Sequence, residues 1–567
     1  MLHFTQTEAD NLVKLLNSDQ LENIRLGLEL AQSQNIDIQS FIEDMELLYA
    51  WMYPKEEGQS ELATKIETIY TCTCLSLDKL GITYIPSQIK YLRSLQVLTL
   101  TKNLIQHIPE EIGELQQLIR LFLSENPLQQ LPEAICMLTG LNSLSLDSCQ
   151  LHSIPERIRN LTQLDRLDIS NNQMEHFPVD VCELSQLTDL FARENHFTTL
   201  PEQFRNLTHL KRLDLSDNKF SVFPEALYCL SQLEYLALHR NQLCTFSTQI
   251  SKMTALQYLS LSENQLRDIP AEVFTLYNLG KLRLEKNQIR QVTMDLPALT
   301  RLTELNLSYN QLSELSPSIG RLNQLASLSV SNNQLTTLPV ELQELTELTS
   351  LDLSHNSLTE LNFAIHHLTK LRQLSVIDNK LTFLPEEMGN LDGLELLYVS
   401  NNKLTDLPAS FINLNKLRLL NIMENRFVKF PTVICEFTTL KHLFLGKNQL
   451  TELPPEMENL KRLVWLEVEG NPLRLIPAVL LKLDSLSIVN LDSIQLSEVS
   501  PDIRHMKTMR QLSLKNNHLS DLPSEIILLT NLNKLWLEGN PIPAETITKI
   551  QSQLPDCEIF LQSEEEG

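Results

Sequence analysis

Nucleophiles, acids and metal ligands are plentiful in this 567-residue chain, but their spacing assembles no catalytic constellation. Cys72 and Cys74 are too close for the usual zinc-binding pair, and no second pair complements them. The 13 histidines are dispersed, with no HExxH to set two imidazoles on one helical face. No GxxxxGK[ST] loop offers amides to a phosphate, and no serine sits in the GxSxG turn that exposes a hydrolase nucleophile. The sequence therefore reads as a non-enzyme with no cofactor and no metal. The chemistry that remains is recognition.

Recognition would come from side chains recurring at a fixed spacing of 23 residues. One column reads Leu396, Leu419, His442, Trp465, and the next reads Tyr398, Asn421, Phe444, Glu467, with Arg418, Met423, Lys441 and Lys447 on their border. Aromatic and long apolar side chains rimmed by charge have the composition of a protein-binding hot spot. The candidate protein-binding residues are Leu396, Tyr398, Leu419, Met423, Lys441, His442, Phe444 and Trp465. A second, more polar field holds Phe191, Arg193, Arg212, Tyr235, His239, Arg240, Tyr258 and Arg283. Asp214, Asp217, Glu234 and Glu263 are interleaved with it and largely cancel its basic character. Between the two fields the same positions are smooth: Ser308, Ser327, Ser329, Ser331, Ser350 and Ser354. Cross-strand contacts that merely stabilise a sheet are the competing explanation, and they suffice for isolated residues such as Phe122 and Trp536.

These columns exist because the chain repeats. In LTLTKNLIQHIPEEIGELQQL, from Leu98 to Leu118, an alternating apolar segment ends on Asn103, and Ile108 leads into Pro109. The same grammar returns every 23 residues from Leu80 to Asn540, 21 times without insertion, with Asn at every ladder position except Leu80, Cys149 and Ile494. A fixed period of this length predicts a stacked solenoid. Each LxLxx segment should be a strand with its leucines inward, pairing in parallel with the next repeat. The Asn amide carries donors and an acceptor, so it can bridge the turns of adjacent repeats. Ile494 cannot, and its repeat also has Ser500 in place of proline, so slack is predicted at residues 490–500. The proline suits the first position of a helical turn. It is replaced by Ser247, Thr293, Ser316, Asn362, Ser500 and Thr546, and four of these fall near the middle, where a change of curvature is predicted.

Residues 1–70 do not obey the repeat. Apolar residues at helical spacing predict helices over Glu8–Leu16, Leu21–Gln32, Ile38–Tyr49 and Glu61–Tyr70, with Ser18-Asp19 capping the second. This segment is a helical N-terminal cap or a docking domain. Residues 71–545 form the solenoid, and 546–567 a C-terminal cap with an acidic tail: a helix over Ala544–Leu554, a strand-like CEIFL, then SEEEG.

The consensus LxxLxLxxNxLxxLPxxIxxLxx is similar to the 23-residue repeat of Ras-suppressor-like, scribble- and erbin-like proteins and of many bacterial leucine-rich repeat proteins. The resemblance covers roughly residues 75–545. It implies an α/β solenoid, a leucine-rich repeat horseshoe with a parallel concave sheet, an α-helical N-terminal cap and a helix-strand C-terminal cap. It also implies a protein-interaction scaffold. Residue by residue, only the ladder asparagines and turn prolines carry over.

Charge and cysteine usage narrow the partners. The net charge is −25, much of it from Glu after the repeat proline, as in Pro132-Glu133 and Pro385-Glu386. No Lys/Arg cluster exists to displace counterions, so nucleic acid is not expected. No apolar run reaches the ~20 residues that span a bilayer, and no basic n-region opens the chain, so neither membrane insertion nor secretion is expected. The nine cysteines are scattered singly, with no terminal cluster for disulfides, which fits free thiols in the cytoplasm. The reading is a monomeric, non-enzymatic scaffold binding a protein partner on its concave face. The alternatives are a regulatory or sensor subunit docking through the N-terminal helices, or an effector binding a small ligand.

Overall fold

The computed structural model of the chain describes residues 6–54, 60–292 and 299–561, with residues 6–8 described by their backbone alone. Two compact units are present, Met1–Gln265 and Leu266–Gly567.

The first unit opens with α1 (Gln6–Leu16), α2 (Leu21–Ser33), α3 (Gln39–Met52) and α4 (Leu62–Thr71), close to the predicted spans. The expected cap of α2 is displaced. Gln20 holds the cap position without its side chain bonding a helix amide, while Ser18 Oγ accepts from the Gln20 amide at 3.2 Å and from Asn23 at 3.0 Å. Ile24, Met45, Leu48, Ile66 and Ile69 are fully buried between the helices and against the first repeats. α3 does the docking. Trp51 Nε1 donates to the Tyr84 carbonyl at 3.0 Å, and Asp44 accepts from Gln88 at 2.7 Å and from the Tyr91 hydroxyl at 3.3 Å. The helices thus cap the apolar end of the stack, which would otherwise face water.

Each repeat contributes a three-residue strand and, in most cases, a short 3-10 helix. Among the described residues nine strands lie in the first unit, from β1 (Cys74–Ser76) to β9 (Tyr258–Ser260), and thirteen in the second, from β10 (Lys281–Arg283) to β22 (Glu558–Phe560). Within each unit neighbouring strands are parallel, and register advances by one repeat, as in Leu98↔Leu121 and Leu397↔Leu420. The middle residue of a strand points into the core: Leu98, Leu121, Leu397 and Leu443 are 0% exposed. α5 (Ala544–Gln553) follows the last repeat, and β22 pairs with β21 (Lys534–Trp536), closing the stack as CEIFL predicts. The acidic tail lies outside the described residues.

The ladder asparagine does what its donors and acceptor allow. Asn402 Nδ2 donates to Val376 O of the preceding repeat (2.9 Å) and to Val399 O of its own (3.1 Å), while its Oδ1 accepts from Leu381 N (3.0 Å). The same bonds recur at Asn126, Asn218 and Asn310, binding each turn to the one before it. A second feature has no sequence signature. The residue before every ladder position is left-handed, whether Lys102 (φ 60°), Tyr309 (φ 54°) or Gly470 (φ 68°). A non-glycine residue there costs roughly 1 kcal/mol, and the ladder bonds that require the turn offset it.

Where the ladder residue is not Asn, the structure compensates. Cys149 Sγ still donates to Leu123 O at 3.3 Å, but neither Cys149 nor Ile494 offers a side-chain oxygen to the repeat before; only their carbonyls reach it, accepting from Gln129 N (3.1 Å) and Arg474 N (2.8 Å). The orphaned amide is satisfied locally. Leu128 N turns to Asn126 O and Leu473 N to Asn471 O, both at 2.9 Å, and past the last repeat Ile542 N turns to Asn540 O at 2.9 Å. Among the ladder asparagines, proline follows at these three places alone: Pro127, Pro472 and Pro541. Ile494 itself is 0% exposed, and Asn517 Oδ1 accepts from Ile494 N (3.1 Å) and Leu496 N (3.0 Å). The slack predicted at residues 490–500 therefore has no structural cause. In hydrogen exchange the Ile494 and Leu496 amides are expected to be protected like the ladder-bonded Leu450 amide; loop-like exchange at either would contradict the compensation.

The repeat proline also needs a correction. It occupies the cap before the 3-10 helix, with extended ψ (150° at Pro109), rather than the first helical position. Serine serves there by a different means: Ser247, Ser316 and Ser500 each accept from the amide two residues on, at 3.2, 3.3 and 3.2 Å. At Asn362 the helix shrinks to Ile365–His367. Thr546 falls within α5, and Thr293 lies outside the described residues.

Candidate functional site

The apolar columns are assembled by β15 (Leu396–Tyr398), β16 (Leu419–Asn421), β17 (His442–Phe444), β18 (Trp465–Glu467) and β19 (Ile488–Asn490) of the second unit. Register sets Leu396 beside Leu419, then His442, Trp465 and Ile488, and sets Tyr398 beside Asn421, then Phe444 and Glu467. Because side chains alternate across a strand, both columns share the outward face. All of these residues are half-buried. Phe444 and Trp465 meet edge to face, with centroids 5.2 Å apart at 84°, and His442 lies 5.9 Å from Trp465 and 6.4 Å from Phe444. Burial, reinforced by the charge of Lys441, holds the His442 imidazole below its usual pKa, so it belongs to the apolar patch at neutral pH. The rim is partly neutralised, Arg418 by Glu395 at 3.3 Å and Lys447 by Glu424 at 2.6 Å. Lys441 is exposed and Met423 half-buried beside the patch.

Three carboxylates adjoin this corner, Glu467, Glu469 and Asp492, and of these only Glu467 belongs to the columns. Glu469 and Asp492 stand two residues before the ladder positions of successive repeats, and Gly446 holds that place in the repeat before. A side chain at Gly446 would run into the Glu469 carboxylate, so glycine makes its room. Glu469 Oε2 is buried without a hydrogen-bond partner. Burial first, and the charge of Glu467 second, push its carboxyl up to about 7. Burial also raises Glu467 and Asp492 above the usual carboxylate range. Asp492 accepts from Ser513 Oγ (2.5 Å) and Lys515 N (2.7 Å). The Trp465 indole N–H lies near enough to Glu467 to oppose its shift, yet is buried without reaching hydrogen-bond geometry. A sequence signal existed. This position is Ser in eight of the 21 repeats and a carboxylate also at Asp78, Asp147, Glu285 and Glu538, so Gly446, the one glycine there, is what stands out.

The second field is more committed to its own structure. In the first unit Tyr235 and Tyr258 stack at 4.4 Å and 6°, and the Arg166 guanidinium lies 4.9 Å from the centre of the Phe191 ring. Arg212 grips Asp189 with two bonds, at 2.6 and 2.8 Å. Arg240 reaches Asp217 (3.6 Å) and Glu263 (3.3 Å), Arg193 reaches Glu194 (3.5 Å), and His239 lies 3.9 Å from Asp217. Arg283 belongs to the second unit, where it bonds Glu304 at 2.7 Å. These guanidinium groups are already occupied. The serine stretch is likewise self-bonded, with Ser308 to Ser329 at 2.6 Å and Ser354 to Ser375 at 2.7 Å.

Parallel strands repeated at constant register, an asparagine ladder and one outward face rich in exceptions define a repeat solenoid. Family models agree. One described as a leucine-rich repeat region matches residues 132–225 and 360–445, and one described as leucine rich repeat matches 93–151, 254–312, 300–358 and 323–381. This chain is a leucine-rich repeat protein. Among solved structures, it is similar to the plant peptide hormone receptor RGFR1 in complex with RGF2 at 26% identity and TM-score 0.61, over 87% of this chain and 89% of that one. A TDR receptor matches at 26% identity and TM-score 0.64, over 84% and 86%. The Arabidopsis receptor kinase HAESA, in complex with the peptide hormone IDA and the co-receptor SERK1, shares the fold at 24% identity and TM-score 0.56, over 88% and 90%. No curated protein matches the chain significantly.

Proposed function

We propose that this chain is a non-enzymatic scaffold that holds a protein partner on the strand face of its second unit, at Leu396, Tyr398, Leu419, Met423, Lys441, His442, Phe444 and Trp465. One observation carries the reading: three aromatic rings converge, half-exposed, on a face whose neighbouring repeats present self-bonded serines. Aromatic anchors at the centre of a polar surround are where binding energy concentrates. The similar receptor RGFR1, in complex with RGF2, supports ligand binding by such a fold. Among the described residues no helix is long and apolar enough to cross a membrane. All nine cysteines are free, which supports a reducing, cytoplasmic setting.

Partner capture by the full chain is expected to fall by at least about tenfold when Phe444 and Trp465 are both changed to Ala. Undiminished capture by a variant whose circular dichroism is unchanged would reject this face. A second reading, docking through residues 1–70, draws support from an open groove of about 750 Å³ beside Leu12, Val13, Leu16 and Phe41, where Val13 is 58% exposed. Capture that survives the double substitution and is lost with Val13→Asp would favour it.

A further inference from the structure

We propose that the strand face beside Phe444 and Trp465 receives a basic side chain of the protein partner, held between the aromatic edges and the carboxylates of Glu467, Glu469 and Asp492; this rests on the partner-binding reading of that face. Carboxylates alone would not specify such an occupant. Their combination with the aromatic corner does. The register of β17 and β18 sets Glu467 directly beside Phe444, and Gly446 lets the Glu469 carboxylate fold back toward the same strand.

The three carboxylates are close enough to repel one another: Glu469 feels both Glu467 and Asp492, and Glu467 feels Asp492. Among the described residues no lysine or arginine forms an ion pair with any of them. The nearest cations are engaged elsewhere, Lys447 with Glu424 at 2.6 Å and Lys515 with Glu538 at 3.2 Å. A purely apolar partner would cover these carboxylates and leave Glu469 buried without a partner, and an acidic partner would be repelled. A cation relieves both costs. The adjoining ring faces attract it as well, most strongly once water is excluded. Guanidinium suits the place better than ammonium, because its planar fork pairs with carboxylates in two bonds and stacks on aromatic faces.

The full chain can be panned against a phage-displayed library of random dodecapeptides and the selected peptides synthesised. Arginine, ahead of lysine, is expected to recur at one position. Replacing it with citrulline, which keeps the shape and removes the charge, is expected to weaken binding by about tenfold or more. The Glu467→Gln, Glu469→Gln double variant is expected to show a similar loss, and Phe444→Ala with Trp465→Ala to abolish binding. Two results would overturn the proposal in different ways. Peptides that need Phe444 and Trp465 but are indifferent to citrulline and to the glutamines would leave the face standing and remove the cation. Peptides that bind the aromatic double variant as well as the parent chain would remove the face itself.

Discussion

Changing Asn402 to Ala is expected to lower the stability of the second unit by about 1–3 kcal/mol. The side chain is 8% exposed, and its amide bonds the Val376, Val399 and Ser400 carbonyls while its oxygen takes the Leu381 amide. Alanine leaves the buried Leu381 amide without its acceptor, at a cost of roughly 1–3 kcal/mol, while the three carbonyls keep the side-chain amides of Asn379 and Asn425 and the Asp378 N–H. No compensating Asn-Pro turn exists in the repeat before, where Lys380 follows Asn379. The exposed neighbour Lys403 is the control; Lys403→Ala should stay within about 0.5 kcal/mol of the parent. Urea melts followed by hydrogen exchange at Leu381 would measure both. Equal stability of the two variants would mean that the ladder is ornamental to the fold.

The second large effect is at Glu469, and its direction is unusual for a carboxylate. Folding raises this group from an ordinary glutamate value to about 7, so the folded chain keeps a proton that the unfolded chain releases. Stability therefore falls as pH rises through the window from about 4.5 to 7, and the penalty is complete above it. Below that window both states are protonated and the group contributes nothing. Glu469→Gln removes the penalty. At ~1.4 kcal/mol per pKa unit, and discounting for the partial exposure of the carboxylate, the variant should be about 1–2 kcal/mol more stable than the parent at pH 8 and equal to it near pH 4. Thermal melts across that range test the sign. The same substitution is expected to weaken partner binding, and a residue whose removal stabilises the fold while costing function is one retained for the function. A variant that loses stability at pH 8 would assign Glu469 to the structure alone.

How much of this was legible beforehand depends on what each residue answers to. The strands and the ladder could be read because a period of 23 residues leaves little freedom in where Leu98 or Asn103 can go, and the caps because apolar residues such as Ile24 and Ile550 recur at helical spacing. The columns from Leu396 to Trp465 followed from the same register, and the strand pairing places them side by side. What escaped was decided by backbone geometry and by local exchange of partners. The left-handed residue before each ladder position ranges from Lys, Arg and Glu through Asn, Asp, Ser, His and Tyr to Gly, without a common chemistry, since the turn is imposed by the ladder rather than by the residue. The predicted fault at Ile494 was cancelled by Pro472 a repeat earlier and by Asn517 a repeat later, a trade visible only once the bonds are traced. The second field already read as largely neutralised by Asp214, Asp217, Glu234 and Glu263, and the structure adds Asp189, which holds Arg212 from the adjacent strand.

The central claim is that a protein partner rests on the strand face at Phe444 and Trp465, and crosslinking tests it most directly. A photoreactive phenylalanine analogue placed at position 444 or 465 of the full chain, in cells, is expected to trap one discrete partner. The same analogue at Ser329, on the serine stretch of the same unit, is expected to trap none. Adducts formed as well from Ser329 as from the aromatic corner, or formed from Ser329 alone, would contradict the account.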